Sequence, residues 1–168
     1  GEWKTYRTVT PIWKDRLDRF GGTRLLLAHA RSAFRNEGVQ VENNMPFVEE
    51  GAAFVFNGEL RGVRLQAEGR IGAEKLFRVF RRMGGDERTE ALTRAMELVV
   101  RRTSYVRAMN FVLATGTILR IGTHYSESPD YFTMHVKEAG ARQAVCSEGF
   151  PGESGWRALP NGTVLEWS

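Results

Sequence analysis

The sequence is poor in cysteine and histidine, which narrows the covalent and metal chemistry open to it. Cys146 is the only cysteine, and there are three histidines among 168 residues. A single cysteine cannot form an internal disulfide, and no Cys/His group has the spacing of zinc ligands. We therefore expect neither a disulfide nor a metal to stabilise the fold, and we predict no cofactor.

Long hydrophobic runs and a secretory signal are also missing. No stretch approaches the roughly 20 apolar residues that a membrane-spanning helix needs. The segment from Gly1 to Lys4 has neither the basic nor the apolar region of a signal peptide. We expect a soluble, cytoplasmic protein with no membrane partner.

A strong excess of one charge is absent as well. The formal net charge of +4 would suit the phosphates of a nucleic acid, but basic and acidic residues alternate, as they do from Lys14 to Arg19. Only the pairs Arg81-Arg82 and Arg101-Arg102 stand out. Nucleic-acid binding is therefore the least favoured interpretation.

The hydrophobic pattern that is present predicts an α+β fold in a single domain over residues 1–168. Apolar residues recur at helical spacing from Leu76 to Met83, before Gly84-Gly85, and again from Leu92 to Val99. Strand patterns precede and follow these helices, which favours segregated layers over alternating βαβ units. The predicted strands cover residues 3–9, 25–30, 52–56, 109–114, 117–121, 131–136, 143–147 and 163–167. A polar loop is expected from Ser32 to Glu50, and a turn at Asn57-Gly58.

Three short motifs in the first sixty residues carry a resemblance to a known family. They are Ala28-His29-Ala30-Arg31, Asn43-Asn44-Met45-Pro46-Phe47 and Phe56-Asn57-Gly58-Glu59-Leu60. Their order and spacing resemble class II glutamine amidotransferases, where a His-x-Arg strand end precedes an Asn-x-His-Pro-Phe loop and a His-Asn-Gly-Glu turn. Later segments are similar too, namely Asn110 to Leu113, Val145 to Glu148, and Trp156 with Leu159 to Gly162. The sequence resembles the small single-domain members, including the ergothioneine-pathway amidohydrolases.

This resemblance implies a fold, a reaction and a site. The fold is that of the N-terminal nucleophile hydrolases, a four-layer αββα sandwich of two antiparallel sheets. The reaction is hydrolysis of a glutamine or γ-glutamyl-type side-chain amide by an N-terminal cysteine. Asn57 and Gly58 would form the oxyanion hole, and Arg31 would hold the substrate α-carboxylate, with His29 on the same side of its strand.

Each of these residues also has a structural interpretation. Asn57 and Gly58 could form an ordinary turn, Arg31 a surface ion pair, and His29 a core contact. Cys146 is expected to be a buried structural thiol, because no neighbouring group would lower its pKa. Glu59 is expected to be solvated.

The sequence departs from the family at several positions. No cysteine occurs early in the chain, so we expect the N-terminal segment that carries the nucleophile to be missing from it. Phe56 and Met45 replace histidines of the family motifs. Gly72 stands where the family has an aspartate that binds the substrate ammonium group, which disfavours free glutamine as the substrate.

Two functions therefore stay open at this point. One is an amidohydrolase that depends on a cysteine absent from this chain, and the other is a pseudoenzyme that uses the same cleft as a ligand- or protein-binding module. Because an absent strand would leave its neighbours unpaired, we also expect a homo-oligomer, a retained N-terminal segment or a partner that fills the gap.

Overall fold

Two antiparallel sheets and two long helices form the framework of the protein. The computed structural model describes residues 3–31 and 39–168. The strands are β1 Phe47–Glu49, β2 Ala52–Val63, β3 Thr103–Thr115, β4 Ile118–Gly122, β5 His135–Ala139, β6 Arg142–Cys146, β7 Arg157–Ala158 and β8 Val164–Trp167, and the helices are α1 Gly72–Arg82, α2 Thr89–Arg101 and the one-turn α3 Pro129–Phe132. One sheet has the order β1-β2-β3-β4-β8 and the other the order β6-β5-β7.

The two long helices confirm the periodicity of the sequence, and their apolar sides cover the five-stranded sheet. In α1, Phe77 and Phe80 are almost fully buried. The ring of Phe77 stacks on Phe54 of β2 at 5.2 Å between centroids, and the ring of Phe80 meets Phe111 of β3 at 4.7 Å. Such aromatic pairs stabilise a core by about 0.5–1.5 kcal/mol each beyond the area they bury.

A single hydrophobic cluster includes residues of both sheets. It contains Phe54 and Phe111 of the five-stranded sheet together with Val136 of β5, Met134 just before it and Leu159 just after β7. The predicted α+β class with two antiparallel sheets is therefore confirmed. Of the predicted layers, the described residues show the two sheets and the helices on the five-stranded one.

The predicted strand over Trp3 to Val9 is wrong, although the segment is extended. It runs antiparallel to the segment that contains β1, and side chains join the two. The Trp3 indole donates to the carbonyl of Gly51 at 2.9 Å, the Arg7 Nε to that of Pro46 at 3.0 Å, and the Asn44 amide to that of Thr8 at 2.6 Å. Alternation of side chains predicted the extended conformation correctly, but it does not show whether a backbone ladder forms.

The predicted buried strand over residues 25–30 is also wrong. Burial alternates along it, and Leu26 is 76% exposed, so the segment is extended and half-buried without strand pairing. Between the two segments lie the 3-10 turns Ile12–Lys14 and Leu17–Phe20. Several apolar side chains of this region are exposed, Trp13 to 80%. The predicted homo-oligomer, retained N-terminal segment or gap-filling partner stays a prediction.

Two further predictions are corrected by the structure. The expected strand over residues 131–136 is divided between α3 and β5, because Pro129 starts a helical turn. In the expected loop Ser32 to Glu50, residues 32–38 lie outside the described residues, and the remainder contains a 3-10 turn, Val41–Asn43, and β1.

Two features are absent from the described residues, a membrane-spanning helix and a metal-binding group. None of their helices has the length and hydropathy required to cross a membrane. Within residues 3–31 and 39–168, no group of three or more His, Cys, Asp or Glu side chains is arranged to hold a metal ion.

Candidate functional site

Asn57 and Gly58 lie in the middle of β2, so the predicted turn at this dipeptide is wrong. Asn57 stands opposite Asn110 of β3, and Gly58 stands opposite Met109. A β-carbon on residue 58 would lie 2.0 Å from the carbonyl oxygen of Ala108. Glycine is needed here because the two strands approach each other closely, not because the chain turns.

Gly58 presents its backbone N–H at the edge of β2 that faces away from β3. On β3, Met109 exchanges both backbone hydrogen bonds with His124 on the opposite side, so Gly58 and Met109 form a pair without hydrogen bonds between them. The Phe56 N–H, two residues earlier, points to the same edge and contacts the Met45 sulfur at 3.1 Å. The N–H of Gly58 and the exposed amide of Asn57 are therefore neighbouring donors.

Asn57 belongs to a row of polar residues that runs across neighbouring strands. Asn57, Asn110 and Thr123 occupy matching positions on β2, β3 and the residue after β4, so they share one face of the sheet. Asn110 is 3% exposed, and both ends of its amide are hydrogen-bonded, because its oxygen accepts from the Thr123 hydroxyl at 2.8 Å and its nitrogen donates to the Phe132 carbonyl at 2.6 Å. This network fixes the side chain of Asn110, the residue that stands opposite Asn57.

His29 reaches the edge of β2, and Arg31 lies near His29. The His29 imidazole makes a hydrogen bond with the backbone of Phe56, next to Asn57. Burial, together with the positive charge of nearby Arg31, lowers the pKa of His29 below 6.5 despite this hydrogen bond. At neutral pH the imidazole is therefore uncharged, and the exposed Arg31 is the cation beside it.

A second cationic group near Asn57 was missed by the sequence analysis. The Arg107 Nε donates to Glu127 at 2.7 Å, and its terminal nitrogen lies 3.6 Å from Glu59, which also pairs with Arg61 at 2.5 Å. Glu59 is therefore not simply solvated. Arg107 and Glu59 are 48 positions apart in the sequence, and only the pairing of β2 with β3 brings them together, so no local pattern could have indicated it.

Cys146 lies away from these residues, on β6 of the three-stranded sheet. It stands opposite His135 of β5 and is half-buried. Burial raises the pKa of the Cys146 thiol above its ordinary value. The protonated thiol is a poor nucleophile, and Cys146 lies in a different sheet from Asn57.

Gly72, at the position of the family aspartate, is the first residue of α1. No atom lies within 4 Å of the place where its β-carbon would be, apart from the helix backbone. The nearby Glu74 is not a substitute for that aspartate. Its carboxylate accepts from the backbone N–H of Arg70 at 2.8 Å and from the Arg70 Nε at 3.1 Å. Burial raises the pKa of Glu74, but these hydrogen bonds outweigh it and hold the pKa below the usual value.

Comparison with solved structures agrees with this architecture. The chain is similar to a glutamine aminotransferase class-II domain protein from Silicibacter pomeroyi, with a TM-score of 0.56 and 20% identity over 73% of this chain and 66% of that one. It has the fold of a class II glutamine amidotransferase domain. A predicted glutamine amidotransferase from Pseudomonas aeruginosa matches 76% of this chain and 63% of its own, with a TM-score of 0.53 and 15% identity.

The third similar structure is a much longer protein. The glutamine phosphoribosylpyrophosphate amidotransferase from B. subtilis has a TM-score of 0.50 and 17% identity, over 71% of this chain and 26% of its own. The matched region thus spans less than two thirds of each of these proteins. No family model matches the chain, and neither does any curated protein sequence.

Proposed function

We propose that this chain binds the side-chain amide of a glutamine-like or γ-glutamyl-type small molecule and forms the larger part of an amidohydrolase. The observation that carries the proposal is the pair of neighbouring donors at the edge of β2, the Asn57 amide and the Gly58 N–H. In this proposal the nucleophile is a cysteine supplied by residues outside the present sequence, because Cys146 lies on the other sheet.

The two donors would act on the charge that develops during the reaction. A thiolate attacks the amide carbon, and the carbonyl oxygen becomes an oxyanion. The C–N bond then breaks, the amine leaves with a proton, and water hydrolyses the thioester to a carboxylic acid and the free thiol. Donors held in place before the reaction stabilise the oxyanion without reorganising, and one such donor commonly contributes about 3–4 kcal/mol.

Arg31 would bind the carboxylate of the substrate. Its planar guanidinium can donate two parallel hydrogen bonds to a carboxylate, which a lysine ammonium cannot do. Neutral His29 would hold the edge of β2 at Phe56 without adding a second charge. Because Gly72 provides no carboxylate for an ammonium group, amides without an α-amino group are expected to bind at least as well as free glutamine.

A second function is favoured by the position of the only cysteine. With Cys146 on β6 and no other thiol in the chain, the same donors on β2 would bind an amide without converting it. The pseudoenzyme and the amidohydrolase would both bind the amide, but only the amidohydrolase would convert it. Binding and turnover therefore need separate measurements.

Binding can be measured on the present chain by calorimetry with 4-carbamoylbutanoate, which has the amide and the carboxylate but no amino group. We expect Asn57→Ala to weaken binding roughly tenfold, in line with the loss of one hydrogen bond to a polar ligand group. Gln143→Ala, an exposed amide removed from β6, is the matched control. Unchanged affinity in Asn57→Ala would refute the assignment of the site.

Turnover requires the protein from its native source. Intact mass and N-terminal sequencing would show whether a cysteine leads the mature chain, and amine release from a panel of γ-glutamyl amides would show activity. A leading cysteine with amine release supports the amidohydrolase, whereas ligand binding without release supports the pseudoenzyme.

A further inference from the structure

Residues 25–30 form an extended apolar segment that lacks the backbone partner of a strand. The Leu25 carbonyl accepts from the Thr23 hydroxyl at 2.9 Å, but the described part of the chain supplies no backbone–backbone hydrogen bond to residues 26–30. Backbone groups that leave water are normally paired, most often in a helix or a ladder. The segment thus has the shape of a strand without the second strand of a ladder.

The side chains of this segment lie on two faces. Its odd-numbered residues are half-buried, and Leu27 packs against the main hydrophobic cluster. Its even-numbered residues are exposed although all are apolar, and Leu26 is exposed to 76%. A strand with one face in water usually has polar residues on that face. An unpaired strand with an exposed apolar face is a surface on which another chain can pair.

The net charge of the protein is concentrated in the same part of the chain. Residues 1–31 contain seven basic and three acidic residues, whereas residues 32–168 contain seventeen of each. Arg24 and Arg31, both exposed, stand immediately before and after the apolar segment. A strand that pairs along residues 25–30 therefore meets a cation at each end, which favours carboxylates in the partner.

A second copy of this chain does not fit that charge pattern. In antiparallel self-pairing centred on the segment, Leu27 stands opposite Ala28 of the other copy, and Arg24 then stands opposite Arg31 at both ends. Like charges directly opposite each other destabilise a strand pair. A lipid surface does not fit either, because it would cover the apolar side chains but leave the backbone groups without a ladder.

We propose that residues 25–30 bind an extended, apolar segment of a partner protein that has acidic residues at its ends. The partner adds a strand, so backbone hydrogen bonds provide affinity, while its side chains cover Leu26 and a carboxylate faces Arg24. This interaction surface goes beyond the proposed function. It lies beside the candidate donors, because His29 contacts the backbone of Phe56.

Two peptides that differ only in their end charges provide the test. The first is acetyl-Glu-Val-Thr-Val-Thr-Val-Thr-Glu-amide, which in antiparallel pairing places valines beside Leu26 and glutamates beside the flanking arginines. The second has lysine in place of both glutamates. We expect calorimetry at low salt to show roughly tenfold tighter binding of the glutamate peptide, and this difference should shrink at high salt. Amide hydrogen exchange of residues 25–30 should slow in the complex, because a ladder protects them.

Variants of the protein then assign the binding to this segment. Arg24→Glu should abolish the preference between the two peptides, since one end of the segment is then acidic and the other basic. Arg94→Glu, on the exposed side of α2, is the control for net charge and should keep the preference. Leu26→Thr should weaken both peptides, whereas Leu17→Thr, at another exposed leucine, should not. A circular dichroism spectrum of each variant shows whether a loss of binding reflects a loss of fold.

Several results would overturn the inference. They are no binding of either peptide, equal affinities in the wild type, and binding that leaves the exchange of residues 25–30 unchanged. A dimer in sedimentation that Leu26→Thr dissociates would assign the surface to a second copy instead. Preferential binding to phosphatidylserine vesicles that the same variant abolishes would assign it to lipid.

Discussion

Gly58 and Ala108 are in such close contact that a side chain on residue 58 has no room, since its β-carbon would lie 2.0 Å from the Ala108 carbonyl oxygen and 2.6 Å from the carbonyl carbon. The neighbouring atoms belong to the backbone of β3, which cannot rotate away as a side chain can. The spacing between β2 and β3 at the candidate oxyanion site therefore depends on this glycine.

Gly58→Ala is accordingly expected to force the two strands apart. Overpacking of a well-packed site commonly costs about 1–3 kcal/mol, and we expect at least that loss in the free energy of unfolding, together with loss of amide binding. Urea denaturation measures the first effect and calorimetry the second. Gly22→Ala, at a position with no atom within 4 Å, should change neither; an unaffected Gly58→Ala protein would contradict the structure.

Arg120 is expected to be the most sensitive charged residue of the fold. It is 2% exposed, and it donates to the carbonyls of Asp86 at 2.9 Å and Glu87 at 2.8 Å while pairing with Glu166 at 2.9 Å. Arg120 thereby ties β4 to the start of α2 and to β8.

Replacement of Arg120 by methionine leaves two carbonyls and a carboxylate without their donor, which should cost about 3–5 kcal/mol of stability. Arg120→Lys should recover little of this loss, because a single ammonium cannot reproduce the planar fork. Arg16→Met removes one member of an exposed pair, 82% and 71% exposed, and should cost less than about 1 kcal/mol in the same urea titration. Similar losses of stability for the two arginine variants would show that Arg120 does not hold β4 to α2 and β8.

Stability should fall as the pH drops below neutrality, partly because of His29. Burial holds the folded-state pKa of His29 below 6.5, so the unfolded chain takes up the proton first. The contribution of His29 to the free energy of unfolding is therefore complete above pH 6.5. It is lost as the pH falls from there towards the folded-state pKa. Burial lowers the pKa of His124 as well, which adds a loss of the same sign.

His29→Gln should thus reduce the difference in unfolding free energy between pH about 7.5 and about 5.5, and the double variant with His124→Gln should reduce it further. Urea titrations at the two pH values measure this difference. If the unfolding free energy of His29→Gln depended more steeply on pH than that of the wild type, the prediction would be contradicted.

Gly72→Asp should move ligand preference towards free glutamine. The space around the residue 72 β-carbon can accept the side chain, and a carboxylate in the first turn of α1 is favoured by the helix dipole by about 0.3–1 kcal/mol. We expect roughly tenfold tighter binding of glutamine and no gain for 4-carbamoylbutanoate, which has no ammonium group. Gly72→Asn is the uncharged control. An equal change for both ligands would show that residue 72 does not meet the substrate amino group.

The helices could be predicted from sequence because their signals are local. The apolar residues of α1 recur within one element, and Gly84 follows directly where the helix ends. The turn predicted at Asn57-Gly58 is wrong for the opposite reason. The turn preference of Asn-Gly is local, but the continuous strand from Ala52 to Val63 is stabilised by pairing with β3, about fifty residues away.

The same limit separates the candidate residues that short motifs indicated from the one that they did not. The motifs indicated His29, Arg31, Asn57 and Gly58. The structure places Asn57 and Gly58 on β2 and His29 against Phe56 of that strand, while their role as a site stays a prediction. Arg107 belongs to no motif, and its position depends on a register shift between two distant strands. A bulge has no reliable signature in a single sequence.

The candidate site consists of two parts that differ in how readily they open. One part lies in the sheet, and the other lies in a segment held to the sheet by side-chain contacts. Asn57, Gly58 and Arg107 are built into the β2–β3 ladder, whose amides should exchange with solvent only when the sheet itself opens. His29 and Arg31 belong to residues 3–31, which as described contain no strand and are joined to the segment around β1 by contacts such as that of Arg7 with Pro46. Such a segment can detach in a local opening well below the global unfolding free energy. A ligand held by both halves would then have to order one of them, and its affinity would include that cost.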